Sequence, residues 1–202
     1  MDKISEKNQM IKNKIKILRE KFKEFQIDGY IVPKNDEYFS EYAQNDRLKK
    51  ITDFSGSAGI AVILKKNNYL FVDGRYTIQA QQECSKNFNI IEIHKKIPSS
   101  IIKNCNLGYD PRLFTSKNLK SYFSNNNVIS IDKNLIDQIF NYKRKKTKPF
   151  YSLEKKIVGE THLSKILKVA NFLKLNKADY LFISAPENVA WLLNIRGYDN
   201  PN

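Results

Sequence analysis

Apolar residues at Ile4, Ile11, Ile15, Leu18, Phe22 and Phe25 recur at spacings of three, four and seven. The chain therefore opens on a long amphipathic helix with one buried stripe. Asp28-Gly29 interrupts that period, and Tyr30-Ile-Val32 reads as a short buried strand closed by Pro33. The densest patterning lies in Ile51–Ala80. Two apolar runs of strand length and composition, Ile60–Leu64 and Tyr69–Val72, flank the polar connection Lys65–Asn68, which predicts a hairpin. Ahead of it, FSGSAG places Gly56 and Gly59 where the chain needs positive φ or a close backbone approach. Behind it, Val72-Asp73-Gly74-Arg75-Tyr76 ends the strand and puts two charged side chains on a sharp turn.

Downstream, Tyr76–Glu83 predicts a helix, Asn89–Ile93 a strand, and Leu107–Pro111 a strand running into a turn. Ser116–Phe123 predicts a capped helix, Val128–Ile131 a strand and Leu135–Tyr142 a short helix. Strands alternating with helices place the chain in the α/β class, a mixed sheet flanked by helices. At Lys143–Pro149 charge and proline replace periodicity, and then the pattern restarts. Leu163, Ile166, Leu167, Ala170 and Leu173 form a second amphipathic stripe, and Ala178–Ile183 predicts a second buried strand. Tyr180-Leu-Phe falls where Tyr30-Ile-Val fell. The expected organisation is a first domain at 1–148, a linker at 149–157, and at 158–202 the beginning of a second domain of similar fold. Pro186–Asn194 is a helix opened by proline. Its apolar residues Val189–Leu193 need a sheet to bury them, so the second domain is expected to be incomplete.

Composition narrows the function. Hydrophobic residues at 41% argue for a globular chain. A net charge of +14 raises the question of a nucleic-acid partner. Yet arginines are few (Arg19, Arg47, Arg75, Arg112, Arg144 and Arg196), and the one dense basic run, Lys143–Lys148, precedes a proline. Phosphate clamping and base readout favour arginine with interleaved aromatics, so the charge reads as solvated lysine and no nucleic-acid partner is expected. No apolar run approaches the roughly 20 residues that span a bilayer, and no membrane partner is expected. The start, MDKISEKNQM, lacks an apolar signal core. Cys84 and Cys105 have no CxxC spacing and read as buried thiols in a reducing, cytoplasmic setting.

Candidate chemistry is sparse. His94 and His162 have no histidine, acid or cysteine companion at ligand spacing, so no metal site is expected from them. Asp36, Glu37 and Glu41 follow the first strand with no histidine near, and read as capping and solvation. No GxSxG, P-loop lysine or GxGxxG occurs. Arg75 remains. Its planar fork suits a carboxylate or carbonyl, and the competing use is a local ion pair with Asp73 or a helix end. Trp191 and Arg196 are assigned to packing and turn structure.

FSGSAG, the strand pair and VDGRYTIQAQQE resemble the amino-terminal region of the Xaa-Pro aminopeptidases (aminopeptidase P, in the creatinase or pita-bread metallopeptidase group). Ser40-Glu41-Tyr42, Gly108-x-Asp110-Pro111, Asn134–Asp137 and NVAWLLNIRGYDNPN extend the resemblance over essentially the whole chain. It departs at Asn188-Val189, where an acid-Ile pair is common, and at Tyr198, where serine is common. The resemblance implies a creatinase-type amino-terminal domain of ribonuclease H-like fold. It implies a cytoplasmic, homodimeric parent enzyme that removes an amino-terminal residue before proline, using two divalent metals, typically manganese. Those metals and their ligands would lie in a catalytic domain this chain lacks. The chain itself would hold no cofactor, metal ligand or catalytic residue and be inactive alone, shaping substrate access and oligomerisation. Arg75 would reach toward the peptide substrate. A stand-alone peptide- or protein-binding module of the same fold is the alternative.

Overall fold

The computed structural model describes residues 3–40, 45–84, 86–142 and 147–198. The expectations for Glu41 and Tyr42, for the basic run at 143–146 and for the last four residues lie outside these. The chain divides into two compact units, 1–143 and 144–202.

In the first unit, helix α1 (Lys3–Lys21) carries the expected stripe, with Ile11, Ile15 and Leu18 buried, and Phe22 buried just beyond it. Strand β1 (Gly29–Pro33) is buried along its whole length. A helix the hydrophobic pattern did not predict, α2 (Arg47–Thr52), follows. Asp46 starts it by accepting from the Lys49 N–H, and Asp53 ends it in the left-handed region at φ 70°. Strands β2 (Gly59–Leu64) and β3 (Asn68–Val72) form the expected antiparallel hairpin, Ile60 facing Phe71. Helix α3 (Thr77–Cys84) leads into β4 (Asn89–Glu92), which runs parallel to β3. Then come α4 (Pro98–Ile101), β5 (Asn106–Tyr109), α5 (Ser116–Phe123), β6 (Asn127–Ser130) and α6 (Leu135–Ile139). The sheet order is β4-β3-β2-β1-β5-β6, with β1/β5 and β5/β6 parallel and β1/β2 antiparallel.

Helices cover both faces, which is why the central strands read as continuous apolar runs. Tyr30, Val32, Ala61, Ile63, Leu70 and Val72 face the layer of α1, α2, α3 and α6. The alternate residues Ile31, Val62, Phe71 and Leu107 face Leu113, Phe114 and Phe123 on the opposite side. Each of the valine, leucine, isoleucine and phenylalanine side chains contributes about 1.5–3 kcal/mol of burial. Gly56 and Gly59 serve close approach and not positive φ. A Cβ on Gly56 would fall 2.2 Å from the Phe54 ring, and one on Gly59 would crowd Leu48 and the Phe71 carbonyl.

The second unit comprises β7 (Phe150–Ser152), α7 (Lys155–Val158), α8 (His162–Leu175), α9 (Pro186–Leu193) and β8 (Ile195–Gly197). β7 and β8 pair as an antiparallel ribbon, with stacked Tyr151 and Tyr198 rings 4.7 Å apart. The strand expected at Ala178–Ile183 does not form. Tyr180 and Phe182 stand 92% and 90% exposed, without the ladder partners that turn β-prone composition into a strand. Lys165 is buried instead, its Nζ donating to the Trp191 carbonyl at 2.8 Å and to Asn194 Oδ1 at 2.7 Å beneath the Trp191 ring. It adds donors at the end of α9, where the Asn194 N–H already bonds the Ala190 and Trp191 carbonyls.

Candidate functional site

The Asp73-Gly74-Arg75 turn sits where the parallel strands β3 and β4 end together, since Val72 pairs with Glu92. In open α/β sheets the carboxyl ends of parallel strands are the usual place for ligands. Asp73 caps a 3-10 turn at Gly74–Tyr76, and its Oδ1 accepts from both the Arg75 N–H (3.0 Å) and Arg75 Nε (2.9 Å). This is the local ion pair the sequence offered as the alternative use of Arg75. The Arg75 side chain is nevertheless 73% exposed. It also lies over the Tyr76 ring, 5.4 Å from its centre.

FSGSAG supports that turn from below. The Tyr76 hydroxyl and Ser57 Oγ share a hydrogen bond at 2.8 Å, and the Tyr76 ring meets Phe54 edge-on at 6.0 Å. Ser55 donates through its N–H and Oγ to the Glu83 carboxylate on α3 at 2.9 and 2.7 Å. The glycine-rich turn thus ties the arginine's neighbour to the core and to the following helix.

His94, read from the sequence as a non-ligand histidine, meets an acid from the neighbouring strand. Its Nε2 lies 3.6 Å from Asp73 Oδ2, because parallel pairing brings the ends of β3 and β4 side by side. The Arg75 backbone N–H, then its guanidinium and, least, His94 hold the Asp73 carboxyl below the usual carboxylate range.

A second polar cluster gathers beyond β1 and β5. Arg47 is buried, with Nε and Nη2 on Asp137 at 3.0 and 2.8 Å and Nη2 on Glu37 at 2.9 Å. Among the described residues its buried Nη1 has no hydrogen-bond partner. Glu37 is therefore an ion-pair partner and not a solvated acid. Asp36 acts as a cap, accepting from the Tyr38 and Ser40 N–H groups. Asp110 is buried and held by Arg112 and by Asn134 Nδ2 (2.9 Å). Asp137 and Asn134 reach Arg47 and Asp110 across 90 and 24 residues, too far for spacing to reveal, while Glu37 and Arg112 lie 10 and 2 residues from their partners.

Among the described residues no group of three or more histidine, cysteine, aspartate or glutamate side chains is placed to hold a metal ion. The donors of the described residues do not fit a dinuclear metal centre. No helix among them is long and apolar enough to cross a membrane.

The mixed, two-sided sheet with a capped arginine turn at its parallel edge places the first unit in the α/β class. Two family profiles described as Creatinase/Prolidase N-terminal domain match, over residues 14–139 and 141–202, and the chain belongs to that family. Over nearly its whole length it is similar to the amino-terminal region of Xaa-Pro aminopeptidases. It is 33% identical to Xaa-Pro aminopeptidase 1 of Dictyostelium discoideum, covering 94% of this chain and 34% of that protein. It is 31% identical to the probable Xaa-Pro aminopeptidase P of Laccaria bicolor, covering 90% and 31%. The crystal structure of X-prolyl aminopeptidase from Caenorhabditis elegans, a cytosolic enzyme with a di-nuclear active site, superposes with a TM-score of 0.78 at 27% identity, covering 95% of this chain and 35% of that one. The chain thus spans about a third of the length of the curated relatives it matches.

Proposed function

We propose that this chain acts as the non-catalytic amino-terminal part of an Xaa-Pro aminopeptidase, a cytoplasmic, homodimeric peptidase that removes the residue before an amino-terminal proline bond. Residues 1–148 form its first domain and 158–202 the start of a second, joined by the 149–157 linker. Its role is to shape access of the peptide to a dinuclear, manganese-type centre carried by the remaining two-thirds of such a protein, and to contribute to its assembly. Arg75 is the residue that meets substrate. The observation that carries this reading is an arginine fixed at Nε by Asp73, its side chain yet 73% exposed at the carboxyl ends of β3 and β4. Such a group presents a preset fork to a peptide carboxylate or carbonyl.

The test is a chimera in which this chain replaces the corresponding first third of the Dictyostelium enzyme. The chimera should release the first residue of an Xaa-Pro peptide with added manganese, and the 202-residue chain alone should not. Arg75→Ala in the chimera should lower kcat/KM by about 10- to 100-fold, the weight of a charged hydrogen bond. Activity of the isolated chain would overturn the assignment. A folded, metal-loaded but inactive chimera would instead favour the stand-alone binding module.

A further inference from the structure

We infer that Asp73 and His94 together set how strongly Arg75 attracts a carboxylate, Asp73 as its positioning residue and His94 as a proton-dependent second cation. This rests on the reading of Arg75 given above and adds its regulation. Asp73 Oδ1 takes both Arg75 contacts, while Oδ2 faces His94 Nε2 at 3.6 Å. That separation is within reach of an ion pair, which forms only when the ring is protonated. Histidine is the side chain whose charge ordinarily changes between about pH 5 and 8.

Other charged groups lie on the elements around the turn of Asp73. Its own turn carries only Arg75. From β4 and the turn behind it come Glu92, His94, Lys95 and Lys96, and Glu92 is bound by Lys95 at 2.7 Å. On α3 the acid is Glu83, which is engaged by Ser55. With His94 neutral, Asp73 and Arg75 sum to zero and the aspartate opposes any carboxylate approaching the guanidinium. Protonation of His94 brings the trio to a net positive charge and offsets Asp73 from its other oxygen. All three groups contact water, so the effect on a carboxylate ligand is about two- to fivefold.

The experiment uses the full chain labelled with 15N. The Arg75 Nε–H resonance is followed from about pH 7.5 to 5.5. The tripeptide Ala-Pro-Ala is titrated at both ends of that range, as the free acid and as the carboxyl-terminal amide. The resonance should move with pH in the parent chain and stay still in His94→Gln and Asp73→Asn. The free acid should bind about two- to fivefold tighter at the lower pH, the amide should not, and His94→Gln should erase the difference. A resonance that does not move in the parent, or a pH trend retained in His94→Gln, overturns the inference. Peptide binding that is absent, or unchanged in Arg75→Ala, counts against the substrate role of Arg75, while the unliganded resonance still judges the Asp73–His94 coupling.

Discussion

Arg47→Ala tests whether the cluster beyond β1 and β5 holds the first unit together. The guanidinium side chain is 4% exposed and makes three charged contacts between 2.8 and 3.0 Å, two to Asp137 and one to Glu37. Burial opposes its charge, but the two acids outweigh this and raise its pKa, so it is a cation at every working pH. Removing one partner of a buried pair costs about 3–5 kcal/mol when the other is stranded. Here the stranded acids, at 22% and 35% exposure, rehydrate in part. The buried, unpartnered Nη1 already costs about 1–3 kcal/mol in the parent chain, which further lowers what the arginine contributes. The expected loss is therefore about 2–3 kcal/mol, or a fall in Tm of about 6–10 °C for a unit of this size. Arg47→Lys, which keeps the charge but not the fork, should lose about half of that. Urea unfolding followed by far-UV circular dichroism measures each value. The Arg47→Ala/Asp137→Ala double variant should show a coupling of about 1–3 kcal/mol. A loss under about 0.5 kcal/mol for Arg47→Ala, or strictly additive single variants, would refute the account.

Gly56→Ala should destabilise the first unit by about 1–3 kcal/mol, because its new methyl meets the Phe54 ring at 2.2 Å; a urea midpoint equal to the parent's would contradict the close-approach role. Burial alone would raise the Asp110 pKa, but Arg112 and Asn134 outweigh it and hold the carboxyl below its usual range. Its stabilisation is thus present above about pH 4 and lost as pH falls through the lower folded value, so Asp110→Asn should be less stable at pH 6 and show a flatter stability curve below pH 4 in urea titrations. Burial pushes the Cys84 thiol up to about 12, so iodoacetamide at pH 8 should modify the part-exposed Cys105 first in the folded chain, as read by peptide mass mapping. Lys165→Met removes the ammonium 4.2 Å above the single tryptophan, so the emission of Trp191 should shift, and an identical spectrum would exclude that contact.

What the sequence reveals follows from the range over which each interaction acts. The helix α1 stripe, the β2–β3 hairpin and α5 are legible because burial on a covered element writes itself as a local period or run, and Leu18, Val62 and Phe123 are buried as that period requires. Helix α2 escapes notice because Arg47-Leu-Lys-Lys offers little apolar period, and its ends are set by Asp46 and Asp53. The false strand at Ala178–Ile183 shows the converse. Tyr30-Ile-Val and Tyr180-Leu-Phe are nearly the same text, yet the first lies between β2 and β5 and is buried, while the second has no neighbouring strand and Tyr180 is exposed. Strand propensity is a statement about partners more than about residues. The site obeys the same rule. Asp73 and Arg75 are two residues apart, and their ion pair could be named in advance; His94 is nineteen residues past Arg75 and reaches Asp73 only through the parallel register of Val72 with Glu92. A register cannot be read from one strand alone, because it is fixed by the helix that crosses between the two. The histidine that bears on the arginine was therefore visible as a residue and hidden as a neighbour, and the same holds for Asp137, which reaches Arg47 across 90 residues of chain.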